Sequence, residues 1–150
     1  MDITVTHDRG MRFVAQCGSQ TVTMGKADGD DEAEQGLWPG QLFIAALGGC
    51  IAGYVVQFCE RHDLHYEGLT VRLQYENAES PSRVAGVHAI IRLPAAVPPK
   101  YRSAILRVAE QCYVTQSIRH NMPVDISVVD SVDESEARLD VAAALSNYQS

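Results

Sequence analysis

The chain has 150 residues, 19 of them acidic and 12 basic, for a formal charge of −7. A domain of this size buries roughly 70% of the surface its unfolded form exposes, so a core needs neither disulfides nor a metal. The acidic balance, with no cluster of Lys or Arg, argues against nucleic acid or an anionic membrane surface as the main partner, because those polyanions are bound through grouped cations.

The N-terminus lacks both the basic start and the apolar run of a secretory signal, so a cytoplasmic address is expected. Four cysteines, Cys17, Cys50, Cys59 and Cys112, are too sparse for a disulfide scaffold. In a reducing compartment they are expected as free thiols, and a bond between any two would be catalytic.

In chain order, Ile3 and Val5 alternate with Thr4 and Thr6, and His7 to Gly10 supplies a turn. Phe13 to Cys17 and Gln20 to Met24 flank Gly18-Ser19 as the arms of a hairpin. From Gly25 to Gly36 the chain is acidic and Gly-rich, which predicts a surface loop ended by Trp38-Pro39. The spacing of Leu42, Phe43, Ala46, Gly49, Cys50, Gly53, Tyr54, Val56 and Cys59 predicts a helix from Gly40 to about Asp63, apolar on nearly every side. Gln41 to Cys59 carries no charge and approaches the length of a membrane span. Its glycines, its two Gln and the lack of a second span favour a helix buried within the domain, with close backbone approach at the glycines.

Leu69, Val71, Leu73 and Tyr75 alternate with polar residues as a strand with one wet face does. Val84 to Leu93 is predicted to pair with it after a turn at Ser80-Pro81-Ser82. Pro98-Pro99 opens a second helix over Lys100 to about Cys112, with Ile105, Val108, Ala109 and Cys112 on one face. Val124 to Val129 is expected to close the sheet. The domain is expected over 1–130, and 131–150 as a C-terminal tail with a short helix from about Asp133. The class is α+β, antiparallel sheets around a long central helix.

Taken singly, Cys50 and Cys112 would pass for small buried hydrophobes. The small residues before Cys50, from Ala45 to Gly49, would admit a second helix close to its sulfur, and Cys112 faces inward on that second helix. The two therefore qualify as a working pair. The run Pro39-Gly40-Gln41-Leu42-Phe43-Ile44-Ala45-Ala46-Leu47-Gly48-Gly49-Cys50 resembles the first-cysteine helix of the OsmC/Ohr family. Ala109-Glu110-Gln111-Cys112-Tyr113-Val114 resembles its second-cysteine motif. The likeness covers roughly residues 1–129.

This resemblance implies an OsmC-like fold, an intertwined homodimer with sites at the subunit interface, and thiol-dependent reduction of organic hydroperoxides. It implies Cys50 as the attacking thiol, Cys112 as the resolving thiol, and a small or protein dithiol as reductant. Aligning the first hairpin with the family places Arg9 at its thiolate-stabilising arginine, with Arg12 in reserve. The chemistry calls for such a set: the thiolate attacks peroxide, a cation favours it, and a second thiol must catch the sulfenic acid. Where the peroxidase branches carry a Glu this chain has Gly40, and the neighbouring Gln41 offers only a neutral acceptor. Tyr113 stands where many members carry Pro.

The competing reading is a binding protein of the same fold, its interface pocket holding a fatty or aromatic small molecule and its cysteines serving as sensors or relics. An inert dimer is the third. Cys59, His62 and His65 are spaced as metal ligands could be, but no fourth ligand is evident, so no metal and no cofactor is expected. Cys17 and Cys59 are expected as packing residues.

Overall fold

Alternation and turn chemistry set the N-terminal third. In this computed structural model, which describes residues 2–29, 31–32 and 35–124 together with 126 and 128, three strands form an antiparallel sheet in sequence order. They are β1 (Thr4–Arg9), β2 (Met11–Cys17) and β3 (Gln20–Lys26). β2 and β3 turn at Gly18, and their register runs from Cys17 against Gln20 to Met11 against Lys26. Gly25 has a φ of +69°, and a Cβ there would run into the Met11 carbonyl, so only glycine fits. Its N–H donates to the Leu37 carbonyl and its own carbonyl accepts from Gly36, both at 2.9 Å. The acidic loop is thereby closed at its base, and the chain is delivered to the next helix.

That helix, α1, spans Pro39–Arg61, starting one residue and ending about two residues earlier than its spacing predicts. Pro39 starts it at a position where the missing N–H costs nothing. The Trp38 N–H donates to Gln41 Oε1 at 3.0 Å, so the Gln41 side chain serves as a cap. At the other end Asp63 takes a φ of +52° and the Leu64 N–H donates back to the Cys59 carbonyl at 2.9 Å.

Burial of α1 is one-sided, against the expectation of an enclosed helix. Ile44, Leu47, Gly48, Ile51, Val55 and Cys59 are buried, whereas Phe43 is 45% exposed and Ala45, Ala46 and Gly49 are exposed. The helix is long and apolar enough to cross a membrane, with a third of its most apolar window buried inside the chain. The expected close backbone approach at its glycines is absent. Gly49 and Gly53 have open space where a Cβ would stand, and at Gly48 the Leu73 side chain occupies that space.

Leu73 belongs to β4 (Thr70–Glu79), which pairs antiparallel with β5 (Ser82–Arg92). Val71, Leu73, Ala89 and Ile91 of this hairpin pack on the core. Each fully buried aliphatic side chain there contributes roughly 1.5–3 kcal/mol.

The second helix departs from its predicted span. Pro99–Tyr101 forms a 3-10 turn, α2 runs Arg102–Glu110, and α3 follows over Tyr113–Arg119. Cys112 lies between α2 and α3 and does not end one long helix; the Gln111 and Cys112 N–H groups already bond three residues back, which tightens and stops α2. The sequence reading assigned no helix to 113–119. Ile105, Ala109 and Cys112 join Leu47, Ile51, Val55, Cys59 and Val97 in one core.

Residues Met1–Thr115 form one compact unit and Gln116–Ser150 a second. The expected closing strand from Val124 to Val129 falls in part, and the tail 131–150 entirely, outside the described residues. The class is α+β with antiparallel sheets and a long helix, as the sequence predicts.

Candidate active site

Cys50 sits mid-way along α1 at the edge of its buried stripe, partly exposed. Opposite it the chain passes from α2 to α3. The Val114 N–H donates to Cys50 Sγ at 3.5 Å. The first N–H groups of a helix have no partner within it, and here one of them is spent on a sulfur from another helix.

The Cys112 side chain is close enough to Cys50 to act on its sulfur, and Val114, two positions on, touches that sulfur. Cys112 is fully buried, and it stands immediately before α3 as a cap would. Its Sγ accepts the Thr115 N–H at 3.4 Å and lies 2.9 Å from Thr115 Oγ1. Both thiols are free. The two cysteines that the sequence singles out are thus brought together, at the junction of α1 with the start of α3.

Burial pushes the Cys50 thiol above its ordinary range, because a thiolate loses hydration there. The Val114 N–H opposes this by donating to the charged form. Cys112 pushes the thiol further up through its hydrogen bond and its own charge, and the Tyr113 N–H pulls it down. Among the described residues, the groups acting on this sulfur are a second thiol and two backbone amides, without a cation.

The predicted cations lie on the first hairpin and pair with a neighbour. Arg12 Nε is 3.2 Å from Asp8 Oδ2 and 19% exposed; Arg9 Nε is 3.8 Å from the same oxygen and 50% exposed. Gly40 is in the first turn of α1 with open space around it, and no acidic residue occupies that turn. Gln41, expected as a support for the site, is committed to Trp38.

The candidate metal ligands have other partners. His62 Nδ1 bonds the Phe58 carbonyl at 2.8 Å and the ring stacks on Phe58, while His65 Nδ1 is 2.7 Å from Glu67 Oε2. Among the described residues no three ligating side chains converge. Cys59 is buried, and burial raises its pKa; Cys17 ends β2.

Val114 and Thr115 were not singled out by sequence reasoning. A signal existed: Cys112-Tyr113-Val114-Thr115 has the spacing of a cap and a polar residue three positions on. It is legible only once a helix is placed at Tyr113.

Residues 29–127 match the family model described as OsmC-like protein. No curated protein matches the sequence. Among solved structures, the OsmC-like protein of Mycoplasma pneumoniae superposes with a TM-score of 0.61 at 14% identity, over 86% of this chain and 96% of that one. The organic hydroperoxide resistance protein OsmC of Legionella pneumophila gives 0.58 at 16% identity, over 80% and 89%. The organic hydroperoxide resistance protein OhrB of Bacillus subtilis gives 0.54 at 17% identity, over 80% and 90%. At these identities the likeness establishes the fold.

Proposed function

Because this chain belongs to the OsmC-like family, we propose that it is a thiol-dependent peroxidase that reduces organic hydroperoxides through Cys50 and Cys112. The observation that carries the reading is the meeting of these two free thiols, with Val114 N–H donating to Cys50 Sγ. Access supports the roles of the two thiols. Cys50 is partly exposed and can meet a substrate, whereas Cys112 is fully buried behind it. The hydroperoxide class is supported by two structural neighbours that carry the name organic hydroperoxide resistance protein.

In this cycle the Cys50 thiolate attacks the terminal peroxide oxygen, the O–O bond breaks as the S–O bond forms, and the departing alkoxide takes a proton to become an alcohol. Cys112 then attacks the sulfenic acid, an S–S bond replaces the S–O bond, and water leaves. A small or protein dithiol returns both thiols by exchange. A cytoplasmic setting, where such dithiols are kept reduced, goes with this reading.

A second copy of the chain completes the site. The uncovered strip of α1 formed by Phe43, Ala45, Ala46, Gly49 and Gly53 is the surface for it, since an apolar face of this kind is covered in a stable assembly. The cation for the thiolate is Arg9, supplied by that second copy, because the groups acting on Cys50 among the described residues of its own chain include none. Arg12, held closer to Asp8, is the reserve.

One equivalent of cumene hydroperoxide added to reduced protein is expected to give a Cys50–Cys112 disulfide, seen by mass spectrometry as a single linked peptide pair. Cys50→Ser abolishes the reaction, and Cys112→Ser leaves a sulfenic acid on Cys50 that dimedone labels. Peroxide consumption by Cys50→Ser, or a disulfide through Cys17 or Cys59, would sink the assignment. The alternative, a small-molecule binding protein or redox sensor on the same fold, predicts at most one turnover in the presence of excess dithiol.

A further inference from the structure

Cys112 is fully buried, so water does not supply the hydrogen-bonding partners of its sulfur. Thr115 supplies them, with its N–H donating at 3.4 Å and its Oγ1 at 2.9 Å from the same Sγ. When Cys112 is a thiol, either the S–H or the O–H can be the donor. When it is a thiolate it has no proton left, so the hydroxyl must donate, and a bond to a charged acceptor is roughly twice as strong as a neutral one. The pair of contacts therefore holds the sulfur in either state. Two contacts from one residue also fix a direction, and a sulfur held at the start of α3 by Thr115 is a sulfur held toward Cys50.

We infer that Thr115 is a positioning residue for the resolving step, holding Cys112 Sγ toward Cys50 through its N–H and its hydroxyl. The reaction it serves rests on the peroxidase reading above; its bond to Cys112 does not. In that step the Cys112 thiolate attacks Cys50 Sγ, the S–S bond forms as the S–O bond of the sulfenic acid breaks, and the departing hydroxide takes up the proton that Cys112 gave up, leaving as water. The hydroperoxide has already accepted both electrons, so no other oxidant enters.

The test uses the full chain. Thr115→Val keeps the branched shape and the N–H and removes only the hydroxyl; Thr115→Ser restores it; Thr115→Ala checks that the valine methyl is not the cause. After one equivalent of cumene hydroperoxide, the sulfenic acid on Cys50, followed by dimedone capture, is expected to persist about threefold longer or more in the Val and Ala variants, the size of one lost hydrogen bond. In Thr115→Ser it returns to the wild-type lifetime. Separately, Cys50 is loaded with thionitrobenzoate by Ellman's reagent, and release of that thiolate by attack of Cys112 is timed; Thr115→Val is expected to slow the release about threefold or more, and Thr115→Ser to restore it. Equal sulfenic acid lifetimes in wild type and Thr115→Val overturn the inference. If wild-type protein forms no sulfenic acid at all, the peroxidase reading has failed by itself. The thionitrobenzoate release then decides: slower release with Thr115→Val upholds the positioning role, and an unchanged rate overturns it.

Discussion

The N–H of Val114 and the Sγ of Cys50 meet at 3.5 Å across 64 positions of sequence. This contact ties the first turn of α3 to the middle of α1, and it puts an otherwise unpartnered helix amide to work on a sulfur. The same turn offers the Tyr113 N–H to Cys50 and the Thr115 N–H to Cys112. Three successive amides thus serve two thiols.

The pH dependence of Cys50 tests where its cation comes from. Burial and Cys112 together raise its pKa, so within its own chain the reactive thiolate is scarcer at neutral pH than in a free thiol and increases through the alkaline range. Arg9→Ala protein is expected to show an alkylation profile for Cys50 with its inflection above the usual thiol range. Wild-type protein should lie below it, and Arg12→Ala should stay nearer the wild type. Superimposable profiles for wild type and Arg9→Ala would remove Arg9 from the site.

Gly40→Glu tests both the helix and the missing carboxylate. A Cβ at Gly40 meets nothing within 4 Å, and the first turn of α1 has no acid. Replacing glycine is worth roughly 1 kcal/mol and an acid in the first turn a further 0.3–1 kcal/mol. Urea denaturation is expected to show a gain of about 1 kcal/mol or more. Stopped-flow peroxide reduction should also be faster, if the carboxylate orients Arg9. A stability gain with an unchanged rate would mean that Gly40 is remote from the chemistry.

Tyr113→Pro removes one of the two amides that pull the Cys50 pKa down. Proline is compatible with the first position of α3, so the helix should persist. A lost hydrogen bond to a charged acceptor predicts attack on hydroperoxide slowed by roughly ten-fold at neutral pH, with the deficit narrowing as the pH rises and the thiol ionises anyway. A uniform loss at every pH would indicate a displaced α3 instead.

Gly53→Leu tests the second copy. Gly53 faces open space within the chain, so the larger side chain costs its own fold little. On an interface where two helices approach closely it would force them apart. Sedimentation at micromolar concentration is expected to give a dimer for wild type and a shift toward the 16.4 kDa monomer for Gly53→Leu. A wild-type monomer would leave the strip along α1 without its proposed cover.

Where the signal was local, the amino-acid sequence determined the outcome. Period-two alternation placed the start of β1 and of the later hairpin, the Gly18-Ser19 turn placed β2 and β3, and apolar residues at helical spacing placed α1, because strand and helix patterns depend on neighbours a few residues away; His7 to Arg9, expected in a turn, extend β1 instead. The residue types around Cys50 and Cys112 were enough to name both thiols. Only the tertiary structure decided that α2 stops before Cys112 and that α3 restarts at Tyr113, since 3-10 tightening and capping by a sulfur leave no periodic trace. The chain's own folding also decided which side of α1 is covered: apolar residues fill both sides, and the residues packed on one of them, Leu73 and Ile105 among them, distinguish the buried stripe from the open one. The raised pKa of Cys50 belongs to the same class of facts. It arises from burial and from groups more than sixty positions away, brought near by packing that local sequence cannot encode.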